Sequence, residues 1–123
     1  MKIKPDIGSR LADRITSPDY KRTTGRLAGL DGERCPLGVL CDMYLEEHEE
    51  ACWSPMYDRF FDAEGFTNAH LQHPPKGVRE WAGLEMGGSY RIAFLNDNGA
   101  DINDIARMLR GEKVRFSLED SLE

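Results

Sequence analysis

Apolar positions recur at helical spacing in several stretches of this chain. Ile7, Leu11 and Ile15 stand four residues apart, so a helix over Asp6–Thr16 carries one apolar face. Pro5 suits its first turn, and Ser17-Pro18-Asp19 reads as its stop. Leu37, Leu40, Cys41 and Tyr44, with Val39 and Met43 beside them, predict a strongly apolar helix over Pro36–Glu49. Ile102, Ile105, Ala106 and Leu109 predict a third over Ile102–Arg110, capped by Asp101 and ended by Gly111. A shorter helix, Pro75–Ala82, has Val78 and Trp81 on one face and Gly83 as its stop.

Between these stretches the pattern changes. Tyr20–Leu30 reads as extended chain leading into the Asp31-Gly32 turn, and Trp53-Ser54-Pro55 as a loop or strand end. Tyr90–Leu95, aromatic and branched, reads as a short strand running into the turn Asn96-Asp97-Asn98-Gly99. Phe60, Phe61 and Phe66 are core candidates. Val114–Glu123 is polar and acidic, a frayed tail or an edge strand. The whole predicts an α+β fold: a single small domain over residues 1–123, with about three main helices packed on a short antiparallel sheet. Residues 1–19 form its N-terminal helix and turn, and residues 114–123 its acidic tail. Leu37, Leu40, Val78, Trp81, Leu95, Ile105 and Leu109 are the expected core.

Composition narrows the function classes. The 123 residues are 40% hydrophobic and 31% charged, a balance that folds. No apolar run approaches the roughly 20 residues of a membrane span, and no signal-peptide segment opens the chain. The expectation is a cytoplasmic protein without membrane partners. Three cysteines in that setting read as free thiols. Net charge is −6, which disfavours duplex nucleic acid as a partner, because such binding rests on phosphate neutralisation. The charge is uneven, however. Met1–Arg34 holds eight basic and five acidic residues, while acid gathers at Glu46-Glu47-His48-Glu49-Glu50. A basic third on an acidic body suits a small anion.

Cys35, Cys41, His48 and Cys52, spaced six, seven and four apart, lack the close pairs of a zinc knuckle, so no metal is expected. Cys35 precedes a helix N-terminus, where the dipole favours a thiolate, and His70 or His73 could act as its base. Pro36 removes one donor amide from that site, which counts against the thiol as a nucleophile. No phosphate-binding loop, dinucleotide fingerprint or nucleophile elbow is present, and no cofactor is expected. Thr23-Thr24-Gly25-Arg26, beside Lys21 and Arg22, is the best anion-binding segment: hydroxyls, a close-approach glycine and an arginine fork. Trp53 is the first choice for an aromatic surface that would stack a base, with Tyr57, Trp81 and Tyr90 as others.

The segment Cys35-Pro36-Leu37-Gly38-Val39-Leu40-Cys41-Asp42 resembles the Cys-Cys-Leu-Gly-Val-Leu-Cys-Asp signature of a family of small proteins common in bacteriophage and prophage genomes. Gly25-Arg26-Leu27, Trp53, Pro74-Pro75, Val78, Trp81, Gly83-Leu84, Leu95-Asn96-Asp97, Gly99 and Ile105-Ala106 match in the same order. The chain departs at Pro36, where the family often has a second cysteine, and this counts against any vicinal-thiol mechanism. The resemblance implies a phage context and, if phage-encoded, the host cytoplasm. The expected function is then a non-enzymatic accessory protein, a counter-defence protein that sequesters a phosphorylated small molecule such as a nucleotide signal. Its expected ligand-binding residues are Arg22, Thr23, Thr24, Gly25, Arg26 and Trp53. The alternatives are an inhibitor that binds a host defence protein directly, or a small thiol enzyme using Cys35 or Cys41. The sequence leaves homo-oligomerisation open.

Overall fold

Helix α2 (Pro36–Glu47) is apolar nearly all round, and such a helix must lie at the centre of its fold. It does so in a computed structural model that describes residues 1–68 and 70–120. Around α2 pack α1 (Pro5–Ile15), α3 (Lys76–Ala82) and α4 (Met86–Asp97). Helix α5 (Ile102–Leu109) closes against α1 and α4. One hydrophobic cluster runs from Ile7 through α2 to Phe116.

Two backbone approaches set the helix spacing. A side chain at Gly8 of α1 would collide with the Leu109 carbonyl of α5, and one at Gly38 of α2 with the Leu27 carbonyl. Glycine is what lets these elements touch.

The antiparallel sheet is small: β1 (Cys52–Trp53) pairs with β2 (Phe60–Phe61), Cys52 opposite Phe61 and Trp53 opposite Phe60. The α+β class holds in this coarse form, but the sheet is a hairpin beside α2, not a platform beneath three helices. Six helices, counting the single turn α6 (Ser117–Asp120), are present among the described residues.

Three expectations need correction. Tyr90–Leu95 is not a strand; it lies inside α4. The buried positions there are Ser89, Ile92, Ala93, Leu95 and Asn96, a helical set whose period is disguised because two of its members are polar. Phe66 is not core either, being 53% exposed, whereas Phe60 is fully buried. The stretch after Val114 is neither strand nor plain tail. Phe116 is buried, its ring lies under the Arg91 guanidinium, and Arg91 forms a two-pronged bond with Glu119. The last three residues of the expected tail lie outside the described residues.

Other local readings stand. Asp101 accepts a hydrogen bond from the Asn103 amide at the start of α5. Gly83 ends α3 in the left-handed region at φ +70°, as a C-terminal glycine should. Of Leu37, Leu40, Val78, Trp81, Leu95, Ile105 and Leu109, all are buried except Trp81, which is half-buried against the core; Phe61 is half-buried. No helix among the described residues is long and apolar enough to cross a membrane.

Candidate functional site

The expected anion loop is held from behind by the end of α4. Arg22 Nε donates to Asn96 Oδ1 at 2.7 Å, and an Arg22 Nη donates to the Asn96 carbonyl at 3.1 Å. A guanidinium at a helix C-terminus also meets the negative end of the helix dipole. Asn96, fully buried, donates in turn to the Thr23 carbonyl at 2.8 Å. The Gly25 amide donates to Asp97 Oδ1 at 2.8 Å, with Gly25 at φ +76°. The Leu27 amide reaches the Leu71 carbonyl, which joins the loop to residues 70–73.

These bonds divide the expected site residues. Arg22 and the Gly25 amide are engaged within the protein and act as clamps. Thr24 and Arg26 are exposed, and Arg26 makes no side-chain hydrogen bond or ion pair among the described residues. Trp53 sits elsewhere: its indole N–H donates to Asp42 Oδ1 at 2.8 Å, and the Arg34 guanidinium covers its ring at 4.9 Å. Arg34 also bonds Asp42 and lies 5.1 Å from the Tyr57 ring. Tyr57 holds a left-handed backbone, φ +59°, in the hairpin loop. One guanidinium, that of Arg34, thus lies against both aromatic rings of that cluster.

Next to the loop lies a groove of about 620 Å³ lined by Gly25, His70, Leu71, Gln72, His73 and Tyr90. Its volume falls in the range of about 300–1,000 Å³ typical of small-molecule sites. Tyr90 and Leu71 are each 54% exposed and give it apolar walls. His73 is buried, with Nδ1 2.8 Å from Ser89 Oγ and its ring 4.4 Å from that of Tyr90. The His70 ring stands edge-on at 6.3 Å. Burial, reinforced by His70 and Arg79 and opposed by Asp97, holds the His73 pKa below its ordinary value of 6.5. His73 is therefore neutral at pH 7. Ser89 is fully buried, so it orients the imidazole and cannot reach a substrate as a nucleophile.

The thiols are not poised for catalysis. Burial pushes the Cys35 thiol up to about 12, outweighing the Gly38 and Leu37 amides that favour its thiolate. Burial also raises Cys41, with Cys35 and Asp42 adding to the effect. Only Cys52 is exposed. Among the described residues no three His, Cys, Asp or Glu side chains are placed to share a metal ion. The His48 ring instead stacks on Tyr44 at 3.8 Å.

A second cavity, about 580 Å³, lies beneath the C-terminal segment. Its Arg91, Arg115 and Glu112 are already engaged, by Glu119, Asp120 and Arg107. The groove beside Gly25, with open side chains at its rim, is the better candidate.

The sequence offers Tyr90 as a stacking surface and the two histidines as bases, but nothing in it joins them in one site. It leaves Gln72 unmarked, because nothing about a glutamine between two histidines signals a role. The model of one protein family, described as a domain of unknown function (DUF8296), matches residues 3–113. No curated protein and no solved structure matches the chain.

Proposed function

The chain belongs to the DUF8296 family, a domain of unknown function, and we propose that it is a non-enzymatic binding protein for a phosphorylated, ring-bearing small molecule such as a nucleotide. The observation that carries this is that Gly25, flanked in the chain by the exposed Thr24 and Arg26, lines one groove with His70, Gln72, His73 and Tyr90. Tyr90 offers a half-exposed aromatic face for a planar ring, and His73 packs beside it. Arg26 follows Gly25 in the chain, is exposed and has no side-chain partner among the described residues, and an arginine fork engages two phosphate oxygens at once. Binding is favoured over catalysis because the Ser89 hydroxyl and the Cys35 and Cys41 thiols are buried. In the phage context that the signature implies, the role of such binding is sequestration of a host nucleotide signal.

Calorimetry against linear and cyclic nucleotides tests this. Each charge-assisted bond contributes about 1.5–3 kcal/mol, so Arg26→Ala weakens binding about tenfold or more. Arg26→Lys restores it only in part, and Tyr90→Ala weakens it through lost stacking. No heat with any nucleotide, or affinity indifferent to both substitutions, refutes the proposal. The half-exposed Leu71 and Tyr90 then favour direct docking of a host protein.

A further inference from the structure

Asp97 fixes the orientation of a side chain in the groove wall. One of its carboxylate oxygens accepts from the Gly25 amide, and the other accepts from Gln72 Nε2 at 2.9 Å. A carboxylate only accepts hydrogen bonds, so Gln72 must turn its NH₂ toward Asp97, and the alternative amide flip is excluded. Gln72 Oε1 is then an acceptor of fixed direction. It has no hydrogen-bond partner among the described residues, nor has His73 Nε2. Yet no buried side-chain nitrogen or oxygen there lacks a partner. Both atoms are therefore reached by solvent, and both residues line the groove.

The two atoms differ in what they demand. The Ser89 hydroxyl can donate to His73 Nδ1 or accept from it, so Nε2 can present either an N–H or a lone pair. Gln72 Oε1 has no such freedom. Whatever lies against it must bring a donor, or a polar atom loses its water without compensation.

Accepting that a ring-bearing phosphorylated ligand occupies this groove, we propose that Gln72 reads its ring through an N–H donor on the ring edge. The ligand class is then a nitrogen heterocycle with an exocyclic amine or ring N–H, stacked on Tyr90, whose neighbouring donor or acceptor meets His73 Nε2. A hydrocarbon ring, or a heterocycle whose edge donors are blocked, fits the apolar walls but leaves Gln72 Oε1 unpaired. Gln72 is thus a specificity residue, and Asp97 positions it.

The test is calorimetry on the full chain with the four nucleoside 5′-monophosphates. Each is paired with the analogue in which the base N–H donors of its pairing edge are methylated, and ribose 5-phosphate serves as the ring-free control. The expected result is that methylation weakens the best-binding nucleotide about tenfold or more. In Gln72→Met, parent and methylated forms bind alike, even if both bind more weakly because the Asp97 bond is gone. The comparison within each pair separates donor reading from general loosening of the groove. Equal binding of parent and analogue by the unmodified protein overturns the role of Gln72 but leaves nucleotide binding standing. So does a preference that persists in Gln72→Met. Binding of ribose 5-phosphate as tight as that of any nucleotide also overturns ring recognition. Absence of binding by all four nucleotides overturns the groove's function, and the inference with it.

Discussion

Alanine replacing glycine has opposite consequences at two positions with the same local setting. Gly38 and Gly87 both lie in the first turn of a twelve-residue helix, α2 and α4. Helix propensity alone favours alanine by up to about 1 kcal/mol at either. At Gly87 nothing stands within 4 Å of the added methyl group. At Gly38 the same methyl lands against the Leu27 backbone carbonyl and 3.2 Å from Arg34 Cδ. That carbonyl cannot simply move aside: it accepts the Cys35 amide at 3.0 Å, and the Leu27 amide is tied to Leu71. Overpacking a close contact costs about 1–3 kcal/mol, occasionally more, which exceeds the propensity gain. Gly38→Ala is expected to lose about 1–2 kcal/mol net, and Gly87→Ala to gain up to about 1 kcal/mol. For a chain this long each kcal/mol moves Tm by roughly 3–6 °C, so the two variants melt on opposite sides of the parent. Urea titration and calorimetry read both. A Gly38→Ala protein at least as stable as the parent would refute the close approach of α2 to Leu27.

Three further outcomes follow from the packing and the charges. Leu40 is fully buried in α2, so Leu40→Ala lowers unfolding free energy by about 2–5 kcal/mol, read as an earlier urea midpoint. The buried Asp62 carboxylate accepts the Glu64, Phe66 and Gly77 amides; Asp62→Ala strands those donors and costs at least about 1–3 kcal/mol by the same measurement. For pH, His73 titrates near 6.5 in the unfolded chain and lower in the folded one, so the unfolded state binds the proton first. Stability then falls as pH drops below about 6.5, and His73→Gln flattens that limb of a stability–pH curve. Glu46 and Glu119, held below 4.5 by Arg14 and Arg91, withdraw their contribution only at lower pH, so the two declines separate.

Helices α1, α2 and α5 were legible because each repeats its apolar residues at helical spacing, and Asp101 and Gly83 mark ends by their own chemistry. Helix α4 was not, because Ser89 and Asn96 occupy its buried face: one supports His73, the other ties down Arg22 and Thr23. A pattern counted in apolar letters cannot register a polar residue buried by its partners. The candidate site was legible as a segment and not as a place. Thr24, Gly25 and Arg26 were singled out from their chemistry, whereas Arg22 looked like a ligand residue and is a clamp. Trp53 looked available, but Arg34 and Asp42 occupy it, and Gln72 acquires its direction only from Asp97.

The ties between the loop and α4 also set a schedule for the protein's making. Arg22 and Gly25 wait for Asn96 and Asp97, 74 and 72 residues later in the chain. At about 5–20 residues per second of synthesis, that wait is roughly 4–15 s. Over that interval the Arg22–Gly25 loop lacks its ties to α4, and the first helix lacks its last-made partner, α5. The groove is thus a late product of synthesis. A nascent chain cut short before Asn96 carries the signature helix and the residues that line the groove, but not the two side chains that hold the Arg22–Gly25 loop beside it.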